Sequence, residues 1–224
     1  MVLKEEDKVK LYLSSYKLGN ATEELKKWLQ NSVNNKVALI TNSRDMFPDG
    51  ERKTNGIQSD ATDLEELGFE VELFDLRKYF GQKELLRKDL KNIYAFYVIG
   101  GNAFVLRKAM RLSGFDELLL EYADNSNYLY AGYSAGICCL CKDMSALSIM
   151  DDPKVDPYNS GLPPIYNGIG FVEEIIIPHF ESEHKETELA SKTVEFCQQN
   201  RVPYLALRDG EVLLSNTINF CKER

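Results

Sequence analysis

Short apolar stretches alternate with longer amphipathic ones along most of this chain. Short stretches rich in Val, Ile, Leu, Phe and Tyr predict strands, whereas apolar residues that recur every three or four positions predict helices. The predicted strands are Val9–Leu13, Lys36–Thr41, Phe69–Asp75, Ile93–Ile99, Tyr128–Gly132, Glu174–Ile177 and Tyr204–Leu207. The predicted helices are Asn20–Asn31, Asn55–Leu67, Gln82–Leu90, Ala103–Leu112, Phe115–Asn125, Ala135–Lys142 and Glu183–Asn200. This order indicates an α/β fold, with a mostly parallel sheet that carries helices on both faces.

Residues at the boundaries refine several of these elements. Asn20 opens the first helix within Asn20-Ala21-Thr22-Glu23, a pattern typical of a helix N-cap. Gly68 and Pro203 follow the ends of two other helices, where glycine and proline are preferred. Near the C-terminus, Val212–Ser215 and Thr217–Phe220 predict a closing hairpin or an edge strand.

One stretch departs from the alternation. Between Met150 and Gly170 the chain is rich in aspartate, proline and glycine, and a long loop of this kind is either a functional lid or a surface excursion. Both interpretations stay open. Because no repeat, low-complexity tract or linker interrupts the rest, the sequence predicts a single α/β domain over residues 1–224.

Composition narrows the class of protein. The 224 residues are 44% hydrophobic and 28% charged, an ordinary globular composition for a chain that needs neither disulfide nor metal to fold. There are 27 Lys and Arg against 35 Asp and Glu, and the net charge of −8 argues against a nucleic-acid partner. The charged N-terminus and the shortness of the apolar runs predict neither a signal peptide nor a membrane span. The odd number of cysteines, 5, fits a reducing compartment, so we expect a cytoplasmic protein.

The strongest chemical signal is Gly132-Tyr133-Ser134-Ala135-Gly136, a Gly-x-Ser-x-Gly motif between a predicted strand and a predicted helix. A nucleophile elbow needs this context, because its serine lies on a tight turn that leaves little room for neighbouring side chains. The backbone N–H of Ala135 is then expected to face an oxyanion from the helix N-terminus. The alternative interpretation is an ordinary strand-to-helix turn that holds a small polar residue.

A serine hydroxyl is a weak nucleophile and needs a general base. The chain has 2 histidines, His179 and His184. His179 follows the apolar run Ile175–Ile177, and strand ends are where open α/β sheets place their sites. His184 lies among acidic residues at the start of a predicted helix. We therefore assign the base to His179, against the alternative of a structural histidine at a strand end.

The third member of a serine triad is a carboxylate that orients the imidazole. Asp209 follows another apolar strand, although Asp-Gly is also an ordinary turn signal. Glu183 and Glu211 are rivals. The order serine, histidine, aspartate differs from the serine, acid, histidine order of standard α/β-hydrolases. An acid from the irregular stretch would restore that order, and the candidates are Asp151, Asp152 and Asp156.

A second oxyanion donor is expected at another strand end. The run from Phe96 to Phe104 leads from a strand through Gly100 and Gly101 into a helix. Glycines let backbone N–H groups come close to a bound oxygen. The run lacks the spacing of dinucleotide-binding and phosphate-binding loops, so nucleotide binding is not expected.

Three motifs follow one another along the chain: Ile99-Gly100-Gly101-Asn102-Ala103-Phe104, Gly132-Tyr133-Ser134-Ala135-Gly136 and Pro178-His179-Phe180. In order and approximate spacing they resemble the peptidase E (aspartyl dipeptidase) and cyanophycinase family of serine peptidases, over roughly residues 9 to 214. The resemblance implies a fold like that of class I glutamine amidotransferases. It also implies a Ser134 nucleophile and a His179 base. The implied oxyanion donors are the backbones of Gly101 and Ala135, with Asn102 beside them at the substrate.

The chain departs from the family at two places. The family's third triad member is often a glutamate where this chain has Asp209, and some members are expected to take it from the loop that holds Asp151 and Asp152 here. In Asp-specific members an arginine is expected to pair with the P1 aspartate of the substrate, and Glu188 stands at that place. Lys185 does not reproduce an arginine fork, and an acidic side chain repels an acidic P1 group. We therefore expect peptidase chemistry with a doubtful Asp specificity.

The cysteines invite a metal interpretation. Cys138 and Cys141 have Cys-x-x-Cys spacing, but the chain has no second pair to complete a structural zinc site. Together with Cys139 they are expected to pack behind the nucleophile helix as small apolar residues. Neither a metal nor a cofactor is expected.

Taken together, these features predict a serine peptidase that cuts small peptides through a Ser-His-Asp triad and an acyl-enzyme. The expected partner is a small peptide substrate, and both a monomer and a homodimer are compatible with the sequence. Two alternatives remain. One is an esterase or amidase that acts on a non-peptide substrate, and the other is a non-catalytic family member that binds small peptides.

Overall fold

Eight strands run through residues 8–215, the part of the chain that this computed structural model describes. They are β1 (Lys10–Ser14), β2 (Lys36–Ile40), β3 (Glu70–Phe74), β4 (Ala95–Val98), β5 (Leu129–Tyr133), β6 (Ile175–Ile177), β7 (Tyr204–Ala206) and β8 (Val212–Leu214). Six of them form the main sheet in the order β3-β2-β4-β5-β1-β8, and β6 pairs with β7 in a second sheet. All strand pairs are parallel except β1 with β8, which confirms the predicted mostly parallel sheet.

Seven α-helices connect these strands. They are α1 (Thr22–Asn31), α2 (Glu51–Leu67), α3 (Lys83–Asp89), α4 (Ala103–Ser113), α5 (Phe115–Tyr122), α6 (Ala135–Cys138) and α7 (Thr187–Asn200). None of the helices within residues 8–215 has the length and apolar character of a membrane-spanning segment.

The central strands bury both of their faces. In β2, Val37 and Leu39 face one apolar core while Ala38 and Ile40 face another, as the twofold alternation of a strand requires. Helices α1 and α2 cover the first core, and helices α3 to α7 contribute to the second. Strands that are covered on both sides read as continuous apolar runs, which explains why the sequence pattern located them well.

The parallel arrangement brings strand ends together. In the main sheet, Ser14 of β1 is paired with Tyr133 of β5, and Val98 of β4 is paired with Gly132. The residues that follow β1, β2, β4 and β5 therefore share one edge, where open α/β sheets place their sites. The segment after β6 carries His179. Through this histidine, the second sheet contacts that edge.

Several predicted boundaries are wrong. Asn20 does not cap α1, because the N-cap is Ala21 and no side-chain cap is formed, while the Asn20 N–H donates to the Gly210 carbonyl. Helix α2 begins at Glu51 rather than Asn55, and α7 begins at Thr187 rather than Glu183. At the start of α1, the contact with Gly210 overrides the local helix signal.

Helix α6 is also shorter than predicted, because it ends at Cys138 and not at Lys142. Beyond it, the carbonyls of Cys139 and Leu140 accept hydrogen bonds from the backbone N–H groups of Ile169 and Phe171. These carbonyls are thus satisfied by another segment of the chain, and the helix has no need to continue.

The end of the chain is only partly described. Val212–Leu214 forms β8, which pairs antiparallel with β1 at the edge of the main sheet. An edge strand was one of the two predicted arrangements. The second predicted segment, Thr217–Phe220, lies outside the described residues. The stretch from Met150 to Gly170 contains no regular helix or strand, in agreement with the sequence pattern.

We predict that Gly136→Ala destabilises the protein. A Cβ at this position would lie 2.1 Å from the Val98 carbonyl oxygen, so α6 and β4 must separate. Overpacking of this kind costs about 1–3 kcal/mol, which is measured as a lower urea midpoint. Gly50→Ala is the control, because a Cβ there meets nothing within 4 Å. Equal midpoints for the two variants would contradict the close approach.

Candidate active site

Strand β5 runs into helix α6 through Ser134, whose backbone has φ 50° and ψ −120°. A positive φ is strained for a residue other than glycine, at a cost of about 1–3 kcal/mol that the surrounding structure must offset. The turn is held against the neighbouring strand, because a Cβ at Gly132 would lie 2.5 Å and one at Gly136 2.1 Å from the Val98 carbonyl oxygen. The two glycines of the Gly-x-Ser-x-Gly motif therefore allow Ser134 to sit at this tight turn.

An imidazole lies between the serine and a carboxylate. His179 Nε2 is 3.0 Å from Ser134 Oγ, and His179 Nδ1 is 2.7 Å from Asp209 Oδ1. Because an ionised carboxylate can only accept, the Nδ1–H donates to Asp209 and leaves the Nε2 lone pair facing the serine hydroxyl. His179 is 1% and Ser134 8% exposed, so water has little access to either contact.

Ser15, directly after β1, holds the second sheet in place. Its Oγ accepts a hydrogen bond from the His179 N–H at 2.8 Å. The same hydroxyl lies 2.9 Å from Asp209 Oδ1 and 3.3 Å from the Leu207 carbonyl oxygen. Asp209 is further fixed by its own N–H, which donates to Ser182 Oγ at 2.8 Å. One hydroxyl thus positions both the histidine and its carboxylate.

The Gly100–Gly101 loop after β4 packs closely on the segment after β2. A Cβ at Gly101 would lie 2.3 Å from the Ser43 carbonyl oxygen, and one at Gly100 would lie 2.9 Å from Ser134 Cβ. The Gly100 carbonyl accepts hydrogen bonds from Ser43 Oγ at 2.9 Å and Arg44 Nε at 3.2 Å. In a planar trans peptide the C=O and the following N–H point in opposite directions. Fixing the Gly100 oxygen therefore fixes the direction of the Gly101 N–H.

Two backbone donors at this edge have no protein acceptor. Among residues 8–215, neither the Gly101 N–H nor the Ala135 N–H donates to another group of the protein. Ala135 is the first residue of α6, where the N–H groups of a helix lack internal partners. Both groups are available to a negatively charged oxygen.

A buried ion network supports the loop from behind. Arg44 Nη2 lies 2.7 Å from the Tyr133 hydroxyl and 3.1 Å from Asp60 Oδ2. Lys17 Nζ lies 2.7 Å from Asp60 Oδ1, and the Asp60 side chain is 0% exposed. Because the buried carboxylate is paired with two cations and a hydroxyl, its charge is compensated. Arg44 thus joins the Gly100 carbonyl to the residue that precedes Ser134.

Aromatic and acidic side chains surround the imidazole. The His184 ring stacks on the His179 ring, with centroids 3.7 Å apart and an interplanar angle of 13°. Tyr16 packs edge-on against His179, with ring centroids 6.0 Å apart. Glu186 Oε2 lies 4.0 Å from His179 Nε2, the same ring nitrogen that contacts the serine hydroxyl.

The surroundings favour a neutral imidazole at rest. Burial lowers the pKa of His179 below its usual value, and the neighbouring His184 acts in the same direction. The hydrogen bond to Asp209 raises the pKa, but it does not overcome burial. At neutral pH His179 is therefore unprotonated and able to accept a proton from Ser134.

Asp151 does not contact the imidazole. Its Oδ2 accepts a hydrogen bond from the Ala103 N–H at 2.8 Å, at the N-terminus of α4. Burial raises the pKa of Asp151 to about 7, and the negative charge of Glu186 contributes to the increase. Asp209, and not an acid of the irregular stretch, is the carboxylate that contacts His179.

Three other predicted residues have polar partners outside the line of hydrogen bonds from Asp209 to Ser134. Asn102 is 2% exposed, and its side chain accepts from two N–H groups of α4 and donates to the Asp152 carbonyl oxygen. Its amide is thus occupied by helix capping. Glu188, which was expected near the substrate, is exposed, and its carboxylate lies 2.6 Å from Lys192 Nζ. This ion pair neutralises the negative charge of Glu188. Glu211 accepts from the Arg208 N–H and does not reach the imidazole.

The cysteines are buried, as predicted. Cys138, Cys139 and Cys141 are at most 4% exposed and carry free thiols. Burial raises the pKa of Cys141 to about 12, which keeps its thiol protonated and unreactive at neutral pH.

Sequence reasoning missed Ser15, Arg44 and Glu186. Ser15 and His179 are separated by 164 positions, and no local pattern distinguishes such a serine. Glu186 gave a usable signal, because it lies a few residues beyond the histidine that was assigned as the base. Its acidic neighbours directed the interpretation towards a solvated helix instead.

Comparison with known proteins gives a consistent result. The model of peptidase family S51 matches residues 11–219. A protein named peptidase E from Streptomyces coelicolor is 34% identical over 127 residues, which is 53% of this chain and 47% of that protein. An uncharacterized peptidase of Listeria monocytogenes is 30% identical over 134 residues, 59% of this chain and 61% of that protein. This chain thus aligns with about half the length of the curated relatives it matches.

Two solved structures share the fold. One is a crystal structure of a Listeria monocytogenes protein provisionally described as a peptidase E, with a TM-score of 0.75 and 22% identity over 96% of both chains. The other is a peptidase from an acI-B1 actinobacterium, with a TM-score of 0.64 and 15% identity over 96% of this chain and 86% of that one. At these identities the likeness concerns the fold.

We predict that Asp151→Asn stabilises the protein more in mild alkali than in mild acid. The pKa of Asp151 is raised from 3.8 to about 7, so its stabilising contribution is complete below 3.8 and is lost as the pH rises through about 7. An amide keeps the acceptor for the Ala103 N–H and carries no charge. The gain in unfolding free energy over wild type should therefore increase between roughly pH 5 and pH 8.

The matched control is Asp152→Asn, which changes an exposed carboxylate at the adjacent position. Urea unfolding at both pH values measures the difference for each variant. A pH-independent difference for Asp151→Asn would show that its carboxyl titrates alike in the folded and unfolded protein.

Proposed function

The chain belongs to peptidase family S51, and we propose that it hydrolyses short peptides through a Ser134–His179–Asp209 triad and an acyl-enzyme. The observation that carries this proposal is the continuous line of hydrogen bonds from Asp209 through His179 to Ser134. Nucleophile, base and orienting acid are each recognised by such geometry rather than by their order in the sequence.

In the first step Ser134 Oγ attacks the carbonyl carbon of the scissile peptide while His179 Nε2 accepts the hydroxyl proton. Asp209 holds the ring in the tautomer that presents Nε2 and stabilises the imidazolium as it forms. The negative charge on the carbonyl oxygen is received by the N–H groups of Gly101 and Ala135. Their lack of a protein acceptor supports this role, since preorganised donors stabilise the transition state without reorganisation.

The tetrahedral intermediate then collapses. His179 gives its proton to the leaving amine, the C–N bond breaks, and the acyl group remains on Ser134. Water attacks the acyl-enzyme while His179 again accepts a proton, and the carboxylic acid leaves as Ser134 regains its hydrogen. No step needs a cofactor.

The charges near the serine favour a P1 residue that is not acidic. Glu186 lies 4.0 Å from His179 Nε2, and it interacts with the half-buried Asp151. An acidic P1 side chain in this region meets like charges, while the exposed Glu188 already pairs with Lys192. We therefore propose short peptides with neutral or basic P1 residues as the substrate class.

We expect Ser134→Ala to abolish cleavage of a short-peptide library varied at P1, with a loss of several orders of magnitude, roughly 10⁴ or more, in kcat. The matched control is Ser148→Ala, which removes an exposed hydroxyl that donates to the Ser145 carbonyl. Among P1 residues, asparagine should be cleaved faster than aspartate. Equal cleavage by wild type and Ser134→Ala would overturn the mechanism.

The same library separates the remaining activities. Cleavage of esters but not peptides, with dependence on Ser134, would replace the peptidase by an esterase with the same machinery. A folded protein that neither cleaves nor reacts with a fluorophosphonate would instead be a binding protein.

We predict that Arg44→Lys lowers kcat more than it raises KM. A lysine cannot donate at once to the Gly100 carbonyl, the Tyr133 hydroxyl and Asp60, so the direction of the Gly101 N–H becomes less well defined. We expect a loss of about 10- to 100-fold in kcat, less than for deletion of an oxyanion donor.

Affinity for a peptide aldehyde, which forms a tetrahedral adduct with serine, should fall in parallel, while affinity for the peptide product should not change. Arg52→Lys, at an exposed position, is the control. If Arg44→Lys weakens aldehyde and product equally, Arg44 supports the fold and does not position the donor.

A further inference from the structure

Both histidines of the chain lie in one cluster with a carboxylate. His179, His184 and Glu186 each place a potential ligand atom within 4.8 Å of the other two. His179 is buried, whereas the other two are only partly covered and can be reached by a small ion. The combination of two imidazoles and one carboxylate is a ligand set that zinc uses in proteins.

The spacing of two of these ligands suits one ion. His179 Nε2 and Glu186 Oε2 are 4.0 Å apart. Zinc lies about 2.0–2.1 Å from a histidine nitrogen and about 2.0–2.2 Å from a carboxylate oxygen, so a single ion can reach both atoms. A tetrahedral angle requires the two ligands to approach somewhat further, which the glutamate side chain can accommodate by rotation.

His184 can supply the third ligand after a change of ring orientation. In the structure its ring is stacked on His179, so the two sets of lone pairs run side by side instead of converging. Its Nδ1 accepts a hydrogen bond of 3.3 Å from the Glu186 N–H, a long and weak contact. Rotation of the half-buried ring therefore breaks the stack on His179, a tilted contact with the Tyr16 ring and one weak hydrogen bond.

His179 already has a hydrogen-bond partner on the ring nitrogen that faces away from the proposed ion. Its Nδ1–H donates to Asp209 at 2.7 Å, which leaves Nε2 as the ligand atom. A carboxylate on the second nitrogen is the usual companion of a zinc-bound histidine, because it fixes the tautomer and raises the basicity of the ligand. Ser134 Oγ, 3.0 Å from the same nitrogen, stands beside the fourth coordination position.

We propose that His179, His184 and Glu186 form a reversible inhibitory site for Zn²⁺. The ion bonds to the Nε2 lone pair and displaces the hydrogen bond from Ser134, so the imidazole can no longer accept the serine proton. The inhibition rests on the proposed function of His179 as base, whereas the binding of the ion does not. The ion is an inhibitor here and takes no part in the reaction.

The binding test uses the full chain with the substitution Cys221→Ser. Cys221 lies outside the described residues, and the substitution removes its thiol as a competing ligand for Zn²⁺. Zn²⁺ is titrated against a chromogenic chelator at neutral pH. We expect about one ion per chain, and a loss of about tenfold or more in affinity for Glu186→Gln and for His184→Ala. Glu183→Gln, the same charge change at an exposed position of the same segment, should leave the affinity unchanged.

Activity is measured on the same proteins. Zn²⁺ should inhibit peptide cleavage by the parent chain, a chelator should restore it, and Glu186→Gln should need about tenfold or more Zn²⁺ for the same inhibition. Ser134→Ala should still bind the ion, since it retains all three ligands.

The outcomes separate the two proposals. Binding by Ser134→Ala without any Ser134-dependent hydrolysis retains the metal site and rejects the peptidase. Hydrolysis that Zn²⁺ does not affect, or Zn²⁺ affinity that neither Glu186→Gln nor His184→Ala changes, rejects the metal site and retains the peptidase.

Discussion

Ser134 and His179, the proposed nucleophile and base, are carried by different sheets, so the whole site depends on a contact that fixes one sheet against the other. Ser15 provides it, because its hydroxyl accepts from the His179 N–H and lies 2.9 Å from the Asp209 carboxylate. This hydroxyl is fully buried, where a hydrogen bond is stronger than in water and an unmade one is costly. A small displacement of the second sheet would therefore break several contacts together, and the alignment with Ser134 is cooperative.

A second constraint acts within the main sheet. The Val98 carbonyl sits against the turn that holds Ser134 and leaves no space for a Cβ on either flanking glycine. The strain of the serine backbone is thus balanced by close packing, which yields little to thermal motion. On the opposite side, Arg44 links the Gly100 carbonyl to Tyr133 and Asp60. Ser134 and the proposed oxyanion donors are consequently held by one continuous scaffold.

Much of this arrangement could be predicted from the sequence. Ser134 was nominated by the Gly-x-Ser-x-Gly motif, and His179 and Asp209 were nominated because each follows an apolar strand and open α/β sheets place their sites at strand ends. The parts that escaped prediction depend on distant partners. The end of α6, for example, is decided by hydrogen bonds from residues about thirty positions later. Local patterns carry no information on such contacts.

The environment of His179 acts on both the neutral and the charged imidazole, and these two protonation states are favoured by opposite surroundings. Burial lowers the pKa of the resting ring and keeps its lone pair available. When the ring is charged, the carboxylate of Asp209 at 2.7 Å and that of Glu186 at 4.0 Å both stabilise it. A site that only buried the ring would form a base too weak to take the proton, and one that only surrounded it with carboxylates would keep it protonated at rest. In the proposed reaction, the balance between these effects places the cost of charging the imidazole in the transition state, where the carboxylates can offset it.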